Sequence, residues 1–304
     1  MKWIAGLLPL VFVLHGCATS LDSDASKSEY SIIRIYDPET TTVSEPMSKA
    51  YLYHAEWLPS GTQIITDTVG ISNQVRLLSD IRLLDVTEGT ITNLTNTPDN
   101  DEHSPQPSPD GTKIVYVVDN QLAVMTLSDQ SVVSLNVSGF SPVWQPNGNG
   151  VAYEGNGIGY HNLTTATTLT TGYLPLWVDD TRLLIERISG DTGTLYLYNT
   201  GSNVASLVGE GRNADVSADT TFVVYERDGD IYRTMLSGLA TTLWISNATS
   251  PQLSPDDATL AYVRDGIVYT APITDLGTRS AIGEGERPRW SSDGKLLFQT
   301  IVYR

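Results

Sequence analysis

Seven related four-residue turns, spaced at a near-constant interval, constrain this chain more than any other feature. The clearest is Ser108-Pro109-Asp110-Gly111, inside Ser104–Asp119 (SPQPSPDGTKIVYVVD), where it separates two short apolar runs. Its relatives are Leu58-Pro59-Ser60-Gly61, Gln145-Pro146-Asn147-Gly148, Val178-Asp179-Asp180-Thr181, Ser217-Ala218-Asp219-Thr220, Ser254-Pro255-Asp256-Asp257 and Ser291-Ser292-Asp293-Gly294, at spacings of 50, 37, 33, 39, 37 and 37 residues. Pro presets one turn dihedral, Asp bonds its own backbone, and Gly, Asn or Asp accepts positive φ. A period near forty in a strand-rich chain is the signature of a β-propeller.

Other columns keep the same period. Six residues before the last turn position stand Ala55, Pro105, Pro142, Pro175, Ala214, Pro251 and Pro288; four before it stand Trp57, Pro107, Trp144, Trp177, Val216, Leu253 and Trp290. Two residues apart on a strand is one face. Five residues after the turn come Tyr116, Tyr153, Tyr225 and Tyr262, with Phe298 one place early. Residues that recur around a ring pack blade against blade. The strands after the turns (Lys113–Val118, Arg182–Ile185, Thr221–Tyr225, Thr259–Val263, Lys295–Phe298) are apolar without alternation, as strands covered on both faces are. Third strands follow at Leu122–Leu127, Leu195–Asn199, Ile231–Met235 and Ile267–Ala271. Fourth strands, rich in Thr, Ser and Val, follow at Val132–Asn136, Thr167–Thr171, Val204–Val208 and Thr241–Ile245. Four short strands make one blade.

The last repeat contains only two strands before Arg304, and Ile32–Tyr36 and Thr41–Ser44 supply the missing pair. The sequence therefore predicts an all-β, seven-bladed β-propeller over residues 30–304, its last blade closed by the amino-terminal strands, with six blades the alternative. The extra length of the first repeat falls in Gly70–Asp80, a long loop or a hairpin extension.

Pro-x-Trp-x-Pro-x-Gly before an apolar strand, as in Pro142–Gly148, resembles the propeller repeat of the TolB family. So does Leu94–Thr97 leading through Asp99–His103 into Ser104–Gly111. The resemblance covers residues 31–304 and implies the fold. Its functional implication is broad, because the repeat serves periplasmic scaffolds, peptidase side domains and carbohydrate-active proteins. The family's namesake joins a six-bladed ring to an amino-terminal domain, and this chain departs from both features.

The chain opens MKWIAGLLPLVFVLHGC. Lys2 precedes the apolar run Trp3–Leu14, which is shorter than the roughly 20 residues of a membrane span and suits a signal peptide over residues 1–16. Leu14-His15-Gly16-Cys17 resembles the lipobox of bacterial lipoproteins, which implies lipidation of Cys17. Ala18 after it implies the outer membrane by the enterobacterial sorting pattern. Cys17 is the only cysteine, so no disulfide forms within the chain. Ala18–Glu29 is polar and aperiodic, a tether between lipid and propeller.

The net charge is −17, with 18 basic against 35 acidic residues, so the surface repels nucleic acid and anionic headgroups. There is no Gly-x-Ser-x-Gly elbow and no phosphate-binding glycine loop, and the sequence implies no cofactor. Functional residues are sought where the repeats differ. Connections between blades converge on one face, and three are charged: Asp99-Asn100-Asp101-Glu102-His103, Gly209-Glu210-Gly211-Arg212 and Gly283-Glu284-Gly285-Glu286-Arg287. Asp99, Asp101, Glu102, His103, Glu210, Arg212, Glu284, Glu286 and Arg287 are thus the candidate rim of the channel mouth. Asp99–Glu102 lacks the Gly and terminal Glu of an EF-hand loop. His54 and His103 fall in neighbouring connections, but with His161 they do not reproduce the His-rich metal site of seven-bladed oligogalacturonate lyases. The expected function is a non-enzymatic scaffold for an envelope protein or protein segment. The alternative is a carbohydrate-active lyase, or a saccharide or cation binder, using the channel mouth.

Overall fold

A computed structural model of the protein describes residues 29–303 apart from 73–74 and 190–191. The leader, Cys17 and all of the tether before Glu29 lie outside the described residues. Strand follows strand throughout, and seven antiparallel sheets stand in a ring.

Five blades are four consecutive strands each. The second comprises β6 (Glu102–Pro107), β7 (Lys113–Val118), β8 (Gln121–Thr126) and β9 (Val132–Ser138). The third comprises β10 (Phe140–Trp144), β11 (Val151–Gly155), β12 (Gly157–His161) and β13 (Ala166–Thr170), and the fourth β14 (Tyr173–Trp177), β15 (Arg182–Ser189), β16 (Thr192–Asn199) and β17 (Val204–Glu210). The fifth comprises β18 (Arg212–Val216), β19 (Phe222–Arg227), β20 (Asp230–Met235) and β21 (Thr241–Ile245), and the sixth β22 (Thr249–Leu253), β23 (Thr259–Arg264), β24 (Ile267–Pro272) and β25 (Ser280–Glu284).

The seventh blade joins β26 (Glu286–Trp290) and β27 (Leu296–Tyr303) to β1 (Glu29–Asp37) and the first half of β2 (Thr42–Trp57). β1 pairs with β27 without a register break from Glu29↔Tyr303 to Tyr36↔Leu296, which is the closure expected from the sequence. β2 does not stop at Ser44. It pairs with β1 as far as Ala50 and then, from Tyr51 to Trp57, with β3 (Gln63–Ser72), becoming the inner strand of the first blade. β4 (Val75–Asp85) and β5 (Thr90–Asn93) complete that blade, and the extra length of the repeat is a hairpin extension between β3 and β4. The second strands of the fourth and seventh blades also run on past the expected ends, to Ser189 and Tyr303.

The turns behave as their residues dictate. Asp110 Oδ1 accepts the Ser108 hydroxyl at 2.7 Å and the Thr112 amide at 3.0 Å, while Ser108 Oγ accepts the Lys113 amide at 2.9 Å. Asp219 and Asp256 repeat this pattern with Ser217 and Ser254. Hydrogen bonds from Ser108 and Thr112 hold the Asp110 carboxyl down at about 2. Gly111 takes φ +69°, and Thr220 and Asp257 adopt the same left-handed conformation without being glycine.

The core lies between blades. Ile114 and Tyr116 on β7 pack with Ile65, Ile81 and Leu58 of the first blade, and Val115 and Val117 on the opposite face pack with Trp144, Val151 and Tyr153 of the third. Burial on both faces explains why the second strands show no alternation. The Trp column adds a polar fastening. Trp57 Nε1 donates to Arg289 O, Trp144 Nε1 to Gln106 O and Trp290 Nε1 to Gln252 O, each at 3.1 Å and each to the inner strand of the preceding blade.

Candidate functional site

Inner strands line the channel, and each described one carries the same irregularity near its start. Its pairing with the second strand slips at Ser104, Ser141, Leu174, Asn213, Ser250 and Arg287, all of which have φ between +46° and +54°. A left-handed residue in a bulge turns its N–H out of its own ladder. In four of them a carboxylate of the preceding blade accepts it. Asp67 Oδ2 accepts Ser104 N at 3.0 Å, Glu154 Oε2 accepts Leu174 N at 3.3 Å, Glu186 Oε1 accepts Asn213 N at 3.0 Å and Glu226 Oε1 accepts Ser250 N at 2.5 Å. The acceptors occupy one column, directly after the Tyr column, and that column reads Val117, Val263 and Gln299 in the remaining blades. Acids recurring at the buried end of an apolar strand were the available signal.

Asp67 has a second role. It is fully buried, and besides Ser104 it takes the His54 amide on Oδ1 at 2.8 Å and His54 Nδ1 on Oδ2 at 2.7 Å. Burial alone would raise the Asp67 carboxyl, but attraction and hydrogen bonding from His54 and the two amides hold it below its ordinary range. Burial would likewise lower the His54 imidazole, and Asp67, with a contribution from Glu56, more than offsets this and holds it above 6.5. With Nδ1 fixed on Asp67, the imidazole presents Nε2, and 45% of its side chain is exposed.

That ring opens on a cavity of about 260 Å³ in the channel. Its polar arc comes from the seventh, first, second and fifth blades: Arg289, His54, Glu56, Ser104, Gln106 and Asn213. The third and fourth blades contribute mainly apolar groups, Pro142, Val143, Leu174, Pro175 and Leu176, with Ser141 and Glu186 beside them. Arg289 Nε pairs with Glu56 Oε1 at 3.2 Å, and Nη1 donates to Pro288 O at 2.9 Å. Asp215, in register with Arg289 on the neighbouring repeat but one, is pushed up to about 6 by burial, against hydrogen bonds from the Leu253 and Val216 amides and the attraction of Arg289.

Two of the three charged connections are strand ends. Only Gly211 separates β17 from β18, and only Gly285 separates β25 from β26. A Cβ on Gly211 would lie 2.3 Å from Tyr225 Cδ2 and 2.6 Å from Glu226 O, so the blade-to-blade step demands glycine. Glu210 and Glu284 are exposed beside these steps, and Arg212, Glu286 and Arg287 are half-buried, with Arg287 Nε 3.4 Å from Glu286 Oε1. Arg287 also lies close enough to His54 to disfavour its charged form. Asp99 is exposed, and Asp101 accepts the Ser79 amide at 2.9 Å. His103 is half-buried, bonded to the Ser104 hydroxyl at 3.1 Å and stacked on Phe140 with centroids 6.4 Å apart.

Glu102 is the correction. It begins β6 rather than a loop and is 1% exposed, so it cannot present its carboxylate at a rim. The corresponding position is Gly139, Gly172, Gly211 and Gly285 in four other blades, and the longer connection 94–101 makes room for a side chain here. Thr97 donates to Glu102 Oε1, Oε2 is buried without a hydrogen bond, and burial, then the nearby Asp80, raises the carboxyl above its ordinary range. Among the described residues, no three His, Cys, Asp or Glu side chains are placed to hold a metal ion together.

Inner strands around a channel, four-stranded blades and amino-terminal closure define a seven-bladed β-propeller. Solved structures share the fold. An oligogalacturonate lyase in complex with manganese matches with a TM-score of 0.64 at 12% identity, over 90% of this chain and 96% of that one. The oligogalacturonate lyase of Vibrio parahaemolyticus matches with 0.64 at 8% identity, over 90% and 98%. A putative TolB from Agrobacterium tumefaciens matches with 0.54 at 16% identity, over 90% and 99%. At these identities the likeness is one of fold. No protein-family model and no curated protein matches the chain.

Proposed function

We propose that the protein is a lipid-anchored envelope scaffold that binds a segment of another envelope protein at the channel mouth. The observation that carries this reading is the two-sided cavity. It has a mainly apolar wall from the third and fourth blades and a polar arc from the seventh, first, second and fifth, and Glu210, Glu284, Arg212, Glu286 and Arg287 stand at the blade-to-blade steps that lead into the inner strands. Carboxylates deeper in the ring are occupied in fastening blades. Asp99, Asp101 and His103 complete the proposed rim.

A photo-crosslinking amino acid at Glu210 in cells of the native host tests this. The expected result is one crosslinked envelope protein, lost when Glu210, Glu284 and Glu286 are all changed to Gln. Undiminished capture by the triple variant overturns the rim. Cys17→Ser is expected to release the protein from the membrane fraction, and unchanged fractionation refutes the lipid anchor.

One observation favours a second reading. The His54–Asp67 pair aims an oriented imidazole into the cavity, as a carbohydrate-active site would require of a proton-transfer residue. Incubation with oligogalacturonate decides between the two readings, because an unsaturated product that disappears in His54→Gln would displace the scaffold.

A further inference from the structure

Two donors in the cavity remain unused. Arg289 spends Nε on Glu56 and Nη1 on Pro288 O, and its Nη2 has no acceptor among the described residues. His54 spends Nδ1 on Asp67, and its Nε2 has none either. Both side chains line the same space, and across it stand Pro142, Val143, Leu174, Pro175 and Leu176. A cavity of about 260 Å³ lies below the roughly 300–1,000 Å³ of pockets that enclose a drug-sized ligand. It has room for a small group rather than a whole drug-sized ligand.

We propose that this cavity recognises the carboxyl terminus of the partner segment, with the terminal carboxylate on His54 and Arg289 and an aliphatic last side chain against the apolar wall. This rests on the segment-binding reading and names its ligand. The ring already shows how it treats carboxylates: Asp67, Glu154, Glu186 and Glu226 each engage donors at the level of the bulges. A guanidinium and an imidazolium are the side chains that recognise a carboxylate by charge-assisted hydrogen bonds. Glu56 is paired with Arg289, and Arg289 also attracts Asp215; Glu186 keeps its charge while accepting the Asn213 amide, so the terminal carboxylate is placed on the His54 and Arg289 side of the cavity. The backbone carbonyls of an internal segment would offer these two donors neutral acceptors, whereas a chain end brings them a carboxylate, the partner that makes the stronger, charge-assisted hydrogen bonds.

The charged groups facing His54 are Asp67 on β3, Glu56 on its own strand and Arg287 on β26. Protonated His54 donates from Nε2, and neutral His54 with its proton on Nδ1 does not. Binding is therefore expected to weaken as pH rises past the raised transition of His54.

The test is fluorescence anisotropy of the whole protein with labelled hexapeptides ending in Leu, prepared as the free acid and as the carboxyl-terminal amide. The expected result is binding of the acid, at least tenfold weaker binding of the amide, and a similar loss for the acid in His54→Gln and in Arg289→Lys. Equal binding of acid and amide overturns carboxylate recognition while leaving segment binding standing. Failure to bind either peptide, with the Glu210 crosslink retained, overturns the terminal-residue pocket alone. The same failure with the crosslink lost as well removes both readings. Because acid and amide are compared on unaltered protein, the outcome does not depend on how the variants fold.

Discussion

Glu186 on the second strand of the fourth blade accepts the backbone N–H of Asn213 on the first strand of the fifth at 3.0 Å, and it is 6% exposed. The bond crosses from blade to blade at the level where the inner strand bulges. The left-handed φ of Asn213 (+50°) frees the amide, and the carboxylate satisfies it. Glu186→Leu would leave that amide without its acceptor. A hydrogen bond to a charged group contributes roughly 1.5–3 kcal/mol, so a loss of about 2 kcal/mol is expected in urea unfolding. A change below a few tenths of a kcal/mol would show that the amide finds another partner.

The Trp column carries a built-in control. Trp144 Nε1 donates to Gln106 O, whereas Trp177 Nε1 is buried with no hydrogen-bond partner, although both side chains are 8% exposed. Trp→Phe removes the N–H in both cases. At Trp144 it also strands the Gln106 carbonyl, so the cost there is expected to exceed that at Trp177 by about 1 kcal/mol. Paired denaturation curves of Trp144→Phe and Trp177→Phe measure the difference, and equal losses would mean that packing alone accounts for the column.

Most of the fold was legible in the sequence because its devices repeat. Ser-x-Asp turns, the Pro and Trp columns and the unpaired amino-terminal strands each carry a period or a vacancy visible without coordinates. Much of the site was not. His54 and Asp67 are 13 residues apart on two strands of one blade, and nothing in either neighbourhood announces the pair. Glu102 looked like a rim acid because the run Asp99–His103 is polar; its burial depends on how the connection 94–101 folds over it. The bulge amides are backbone groups, so no side chain at Leu174 or Ser250 signals them.

The His54–Asp67 pair makes stability depend on pH. His54 is held above 6.5, so the protonated imidazole's contribution is fully present below pH 6.5 and fades as pH rises through the raised value. Asp67 is held below 3.8, so its contribution is present above pH 3.8 and fades as pH falls through the depressed value. The gap in melting temperature between wild type and Asp67→Asn is therefore expected to be widest between pH 3.8 and 6.5. With the His54 side chain 45% exposed, the pair is worth less than the roughly 3–5 kcal/mol of a fully buried one, and the gap should be a few degrees there. A gap constant from pH 3 to pH 9 would contradict the coupling.

The closure should bear as much load as any blade. Ile33 on β1 is fully buried, packed with Ile35, Trp57, Ile64 and Leu297, and its backbone lies opposite Gln299. Ile114 on β7 is equally buried within one continuous blade. Truncation of either to Ala removes the same atoms, with an expected cost of about 2–5 kcal/mol. If the amino-terminal strand is an integral part of the ring, Ile33→Ala and Ile114→Ala will lose comparable stability in one cooperative transition. A separate early transition in Ile33→Ala alone would show that β1 detaches before the rest of the propeller unfolds.

Glu102 should be a destabilising charge at high pH. Its raised carboxyl means that the folded protein favours the protonated form, so stability falls as pH rises through the raised value. Glu102→Gln keeps an acceptor for Thr97 and removes the charge from beside Asp80. At pH 8 the variant is expected to be more stable than wild type by on the order of 1 kcal/mol, the low end of the cost of a buried unsatisfied group, and the advantage should shrink toward pH 4.5. Chemical denaturation at the two pH values measures it. A variant less stable than wild type at pH 8 would mean that the Glu102 charge is compensated by a group bound at Oε2.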